Sequence, residues 1–245
     1  MGKADIHIHT THSDGMATVE QVFDFVEHQT DLDLIAITDH DMFDGADEAR
    51  NLAARGHYRF QVLTGMEVTT LEGHLLALGL DKPVRSLQGL DKTIAQVHEQ
   101  GGVVIAPHPM SWMIRSIGRN GLIRIHKNPD DLIYLDGFET LNPSIAGKVV
   151  AKRAQDLNRR ILKLAETGGS DSHVLPTIGT AITNFPGITA DDLLRALKEK
   201  TTTVDGHYWT KEEVQYLIKI GPAQLFQSLV KLPVKHIRRN VGRRK

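Results

Sequence analysis

The sequence contains no cysteine, which excludes disulfides, thiolate metal sites and cysteine nucleophiles together. It has no apolar run approaching the roughly 20 residues that a membrane-spanning helix needs. The opening Met1-Gly2-Lys3 turns at once to Asp and His, without the apolar core of a signal peptide. A myristoylation motif is missing as well, because Ile6 stands where Ser or Thr is wanted. From these absences the expected location is cytoplasmic. Aromatic residues are scarce too, with two Trp and four Tyr in 245 residues, and against that scarcity the 13 histidines stand out. The hydrophobic share of 40% and charged share of 24% are ordinary for a globular chain, and the length suits one large core.

The net charge of −1 hides an asymmetry. Seven Lys or Arg and no acid fall between Lys231 and Lys245, so removing those seven positive charges leaves the remainder at −8. An acidic body that handles phosphate needs metal ions to reverse its local field.

Apolar runs alternate with amphipathic segments along the chain. Strands are expected at 3–9, 34–38, 60–68, 74–79, 102–106, 134–141 and 167–170. Helices are expected from Thr18, where Thr18 and Gln21 form a capping box, to about Gln29, and over 44–55, 91–100 and 145–166. A further helix runs from Thr189 to about Lys200, Thr189 and Asp192 marking its start. Alternating strands and helices imply a parallel sheet, open or closed into a barrel. Beyond Thr201 the pattern changes: Thr210 opens a short helix, Gly221-Pro222 breaks it, and another runs to about Lys231.

The chemistry lies at strand ends. His7 and His9 sit two apart in an extended segment, so both imidazoles share a face, and Asp14-Gly15 follows. The second strand runs into Asp39-His40-Asp41, the third into Glu67. His74 opens the fourth. The fifth runs into Pro107-His108-Pro109, and a later one into Gly169-Ser170-Asp171-Ser172-His173. One such residue is easily a strand-end polar group tied to a loop; the recurrence is not, and strand carboxyl ends are where ligands converge in α/β folds. Imidazole with carboxylate and no thiolate suits Zn, Mn or Fe. The donors exceed what one ion takes, so two or three divalent ions are expected, with Glu67 as a bridge. Ions about 3.5–4 Å apart clamp the attacking and leaving oxygens of an in-line displacement.

The runs Asp5-Ile6-His7-Ile8-His9, Thr38-Asp39-His40-Asp41, Gly65-Met66-Glu67, Gly73-His74-Leu75, Pro107-His108-Pro109 and Gly169-Ser170-Asp171-Ser172-His173 resemble the PHP (polymerase and histidinol phosphatase) family, over about residues 3–207. The resemblance implies a distorted (β/α)7 barrel as residues 1–207, followed at 208–245 by a short helical extension and basic tail packed on or trailing it. It also implies nine metal ligands: His7, His9, Asp14, His40, Glu67, His74, His108, Asp171 and His173. By that likeness His7, His9, Glu67 and Asp171 hold one ion, Glu67, His74 and His108 a second, and Asp14, His40 and His173 a third. The reaction implied is phosphoester hydrolysis of a small phosphomonoester or nucleotide by a hydroxide held on the ions. The alternatives are a 3′ or 5′ exonuclease on short oligonucleotides, a metal-dependent C–N hydrolase and a non-catalytic module. Stand-alone relatives acting on nucleotides or short RNA carry a helical insertion between the His74-like and His108-like motifs, whereas here 33 residues separate the two.

Five residues are candidates for supporting roles. Arg115, with Arg119 behind it, follows the His108 motif where a phosphate clamp is useful. His173 or His207 is placed to assist proton transfer, and Asp39 to orient a ligand imidazole. The basic tail is a candidate contact for nucleic acid or an anionic surface, although no aromatics interleave with its charges. His12 lies near His9 without a spacing that requires a role.

Overall fold

The computed structural model describes residues 1–231. In chain order the elements are β1 (Gly2–Ile8), α1 (Val19–Gln29), β2 (Leu34–Ile37), α2 (Asp44–Arg55), β3 (Gln61–Thr69), β4 (His74–Leu78), α3 (Leu90–His98), β5 (Val103–Ala106) and α4 (Arg119–His126). Then come β6 (Gly137–Leu141), α5 (Ile145–Leu157), β7 (Ala165–Gly168), β8 (Ala181–Phe185), α6 (Ala190–Glu199), β9 (Thr203–Gly206) and α7 (Lys211–Phe226). The fold is the α/β, barrel-like type expected: β1 to β7 lie side by side in chain order, and β8 and β9 extend the sheet beyond β1.

The sheet is mixed rather than parallel. The β1–β2, β2–β3, β5–β6 and β6–β7 pairs are parallel, while β4 is antiparallel to both β3 and β5. Only residues 70–73 join β3 to β4, far too few for a crossover, so the chain turns back as a hairpin. The reversal matters for the site, since it brings His74, at the start of its strand, opposite Thr69 at the end of β3.

Side-chain alternation divides the core. Leu34 and Ala36 of β2 join Ala4, Ile6, Leu63, Leu76, Leu78, Val103 and Ile105 in one cluster, closed off by Leu193, Ala196 and Leu197 of α6. Ile35 and Ile37 face the other way, onto Val22, Phe23 and Val26 of α1. The capping box expected for α1 is formed, with Thr18 accepting from the Gln21 N–H, and α6 starts at Thr189 as expected, with a box of its own in which Thr189 accepts from the Asp192 N–H.

Some elements differ from expectation, each for a local reason. Helix α5 stops at Leu157 rather than 166: a π turn, Asn158–Leu162, ends at Lys163 with φ +51°, and Asn158 clamps both backbone groups of Leu164. The chain is thereby free to begin β7 at Ala165. Helix α4 was not expected, since Gly121 interrupts its pattern. Strands β8 and β9 were also passed over. Helix α7 continues through Gly221-Pro222. Pro222 removes the N–H that would donate to the Ile218 carbonyl, and both residues are exposed to solvent. The basic tail beyond Lys231, with its expected nucleic-acid contact, lies outside the described residues. No helix among the described residues is long and apolar enough to cross a membrane.

Candidate metal centre

Six strands deliver the candidate ligands to one end of the barrel. His7 lies in β1 and His9 just past it; His40 follows β2 and bridges to Glu67 in β3; His74 opens β4; His108 follows β5; Asp171 and His173 follow β7. Asp14 arrives on the turn after β1. The backbone places these groups at some conformational cost, with φ of +30° at His108 and +52° at Asp171, in the left-handed region that side chains disfavour.

Glu67 is fully buried at the centre. Its Oε2 lies 3.3 Å from His7 Nε2, 3.4 Å from His9 Nε2 and 3.0 Å from His40 Nδ1. Its Oε1 lies 2.9 Å from His74 Nδ1 and 3.1 Å from His108 Nε2. Asp171 Oδ1 is 3.5 and 3.4 Å from the Nε2 atoms of His7 and His9. On the far side of His9, Asp14 Oδ1 lies 3.3 Å from His173 Nε2 and 3.9 Å from His40 Nε2. The donor atoms fall into four overlapping groups: His9 with Asp14, His40 and His173; His7 with His108 and Asp171; His7 with His9 and Glu67; His40 with Glu67 and His74. All nine sequence candidates are therefore brought together.

These residues fit divalent cations. Both ring nitrogens of His9, Oδ1 of Asp14 and Nδ1 of His74 are buried and make no hydrogen bond. His74 Nδ1 is close to Glu67 but out of alignment with it, as donors are when they aim at a common point. Buried polar atoms left unpaired cost about 1–3 kcal/mol each, and their concentration at one spot calls for ligands of another kind. The electrostatics agree. Burial, with His173 and His40 beside it, pushes His9 down to about 4, leaving a neutral imidazole with a lone pair to give. Burial would raise the carboxyls of Glu67, Asp171 and Asp14, but the surrounding imidazoles hold all three well below the usual range and keep them anionic. Burial likewise opposes the charge on His173, yet Asp14 and Asp171 raise it to about 9.

Residues outside the nine candidate ligands hold this arrangement. Glu139, buried in β6, accepts from His7 Nδ1 at 3.0 Å, from the His108 backbone N–H at 2.6 Å and from Asn142 Nδ2 at 2.9 Å. It fixes which His7 nitrogen faces the centre. Gly169 makes room for it, since a Cβ there would lie 2.5 Å from Glu139 Oε1. Ser116 Oγ pairs with His108 Nδ1 at 2.8 Å. Asp5 accepts from the N–H groups of Ser170 and Gly179 and ties β1 to the Asp171 loop; burial raises its carboxyl to about 6 against those hydrogen bonds. A carboxylate in the middle of an apolar strand, as in Gly137-Phe138-Glu139-Thr140-Leu141, was the available signal for Glu139.

The supporting candidates fall in different places. Asp39 accepts from Thr10 N and Oγ1 at 2.7 and 2.6 Å and from Ser13 N at 3.1 Å, so its carboxylate braces the 10–13 loop rather than an imidazole. Arg115 is exposed and donates to the Thr70 carbonyl at 2.8 Å, while its own carbonyl accepts from His74 N. Arg119 is exposed at the start of α4. His207 is about half exposed and pairs with Glu213 at 3.3 Å. His12 pairs with Glu48 at 2.6 Å.

A barrel-like α/β sheet with a buried His–carboxylate cluster at one end defines an α/β-barrel metalloprotein class. The chain belongs within it to the PHP domain family, whose pattern matches residues 5–175, with a PHP-associated region over 153–202. It is 31% identical over 154 residues to an uncharacterised protein of Methanocaldococcus jannaschii, covering 57% of this chain and 81% of that one. It is 35% identical over 100 residues to the 3′,5′-nucleoside bisphosphate phosphatase of Chromobacterium violaceum, covering 39% of this chain and only 34% of that enzyme. The fold matches a two-domain Bacteroides vulgatus protein containing a predicted PHP-like metal-dependent phosphoesterase, with TM-score 0.65 and 18% identity over 84% of this chain and 64% of that one.

Proposed function

We propose that the protein is a metal-dependent phosphoesterase acting on a small phosphomonoester or nucleotide. The observation that carries this is the gathering of buried, unpaired atoms in one cluster: those of His9 and His74 beside the Glu67 carboxylate, and Asp14 Oδ1 beside His173 and His40. The phosphatase named among its relatives supports the substrate class. The nine ligands are proposed to hold two or three ions, of manganese, zinc or iron. Bound ions of this kind lower the pKa of water and neutralise charge on phosphoryl oxygens.

The chain's own residues do the rest. Glu67 offers one oxygen to each side of the centre, His7, His9 and His40 flanking one and His74 and His108 the other. His173 has its Nδ1 engaged by the Asp171 carbonyl at 2.9 Å, so its Nε2 faces Asp14 and serves as a ligand before it serves as a proton donor. Arg115 rides on the loop whose Ser116 holds His108, and is the proposed contact for a second phosphate. His207, paired with Glu213, is the weaker candidate for protonating a leaving group.

The test is purification with metal analysis, followed by a screen of phosphomonoesters, nucleoside bisphosphates, phosphodiesters and short RNA. Hydrolysis of at least one class is expected, lost together with bound metal in His40→Ala. No turnover on any of them by metal-loaded protein would refute the proposal, and preference for short RNA would favour the exonuclease reading.

A further inference from the structure

One polar contact at the centre comes from outside the barrel. Ser228, in the π turn Gln227–Lys231 that follows α7, donates through Oγ to Asp14 Oδ2 at 2.8 Å, from 214 residues away in sequence. The two oxygens of Asp14 are thereby divided. Oδ2 is taken by the hydroxyl, while Oδ1 is buried, makes no hydrogen bond and faces His173 Nε2 and His40 Nε2.

We infer that Ser228 is a positioning residue for Asp14, so that the C-terminal helical segment completes the metal position formed by Asp14, His40 and His173. The inference rests on the reading of Asp14 as a ligand. A carboxylate on a turn rotates about its last bond and presents either oxygen, or both. A hydroxyl fixed to one oxygen stops that rotation and leaves the other as the single donor to a cation. Hydrogen-bonded partners of this sort typically account for about 10–100-fold in metal affinity.

The contact is not a by-product of core packing. Among the described residues none from Lys211 to Gln224 is buried, and a backbone tie from this region to the barrel is the Trp209 N–H on the Pro143 carbonyl at 3.2 Å. A segment held so lightly can lose the Ser228 hydroxyl without disturbing the barrel. The metal position, by contrast, feels the loss directly.

Mn(II) titration of metal-stripped, full-length protein tests this in the wild type, S228A, S228T, D14A and the D14A/S228A pair. D14A is expected to bind one ion fewer than wild type. S228A should bind the same number at saturation, with the weakest site loosened about 10-fold, and S228T should restore it. In the D14A background, S228A should change nothing further, and the melting temperature of metal-free S228A should equal that of wild type. Unchanged Mn(II) affinity in S228A, or the same loosening with and without Asp14, overturns the inference. Wild-type stoichiometry in D14A overturns the ligand reading and this inference with it. Because the readout is binding, the result stands apart from whether any phosphoester is turned over.

Discussion

The two ends of the barrel each hold histidine against carboxylate, and they do so in opposite ways. At the amino ends of β5 and β6, His98 Nε2 lies 2.9 Å from Asp136 Oδ2 and Nδ1 2.8 Å from the Leu132 carbonyl oxygen, and its ring stacks on Tyr134 at 4.2 Å. Asp136 also accepts from Val104 N at 2.8 Å. Every polar atom of that imidazole is used within the protein. At the carboxyl ends the His9 side chain is enclosed too, like the nearly covered side chain of His98, yet neither of its nitrogens is used. Burial and residue type do not separate a structural histidine from a ligand; what is left unpaired does.

The sharpest way to break this contrast is to remove a partner at each end. Glu67→Ala should strip bound metal and lower turnover more than ~100-fold, beyond what loss of a supporting group costs, whereas His98→Ala should leave metal content unchanged. Equal metal loss in both variants would erase the distinction. Glu139→Gln comes next. It keeps the shape but weakens the acceptor on His7 and His108, and Mn(II) affinity should fall about 10–100-fold by titration.

Proton linkage sharpens the comparison further. The folded-state pKa of His173 is raised to about 9, so near neutral pH a cation must displace a proton there. Affinity should rise up to about tenfold per pH unit between pH 6.5 and 8.5, followed by titration in buffers of different ionisation heat. For the metal-free fold the sign is the reverse: the stability gained from protonated His173 is complete below its unfolded value and is lost as pH rises through 9. The smallest effect belongs to the structural end. His98→Ala should cost about 1–3 kcal/mol of folding stability by leaving Asp136 underpaired, visible as a lower melting temperature.

Most of the candidate ligands were legible because they are polar residues at or near the ends of apolar strands, and repetition of that event is itself informative. Asp14 depended on the family likeness, since Asp-Gly after a strand reads equally as a turn. Glu139 escaped because it sits inside its strand, where alternation alone reads it as an outward residue. Asp39 was expected to orient an imidazole, but which neighbour a carboxylate chooses is decided by loop geometry, here that of Thr10 and Ser13. The reversal of β4 follows from a four-residue connection, while the early end of α5 depends on a side-chain clamp by Asn158 that hydrophobic periodicity does not register. Ser228 lies 214 residues from its partner, and no local pattern announces it.

The positive φ angles at His108 and Asp171 bear on how such a site would decay. Each position holds a side chain in a conformation that costs about 1–3 kcal/mol and that glycine adopts freely. Replacing either with glycine relaxes the metal-free chain while deleting a ligand. Selection for heat resistance alone, applied without metal, would therefore run downhill toward inactive barrels. A lineage that kept only the scaffold would be expected to carry glycine at these two positions early in its divergence.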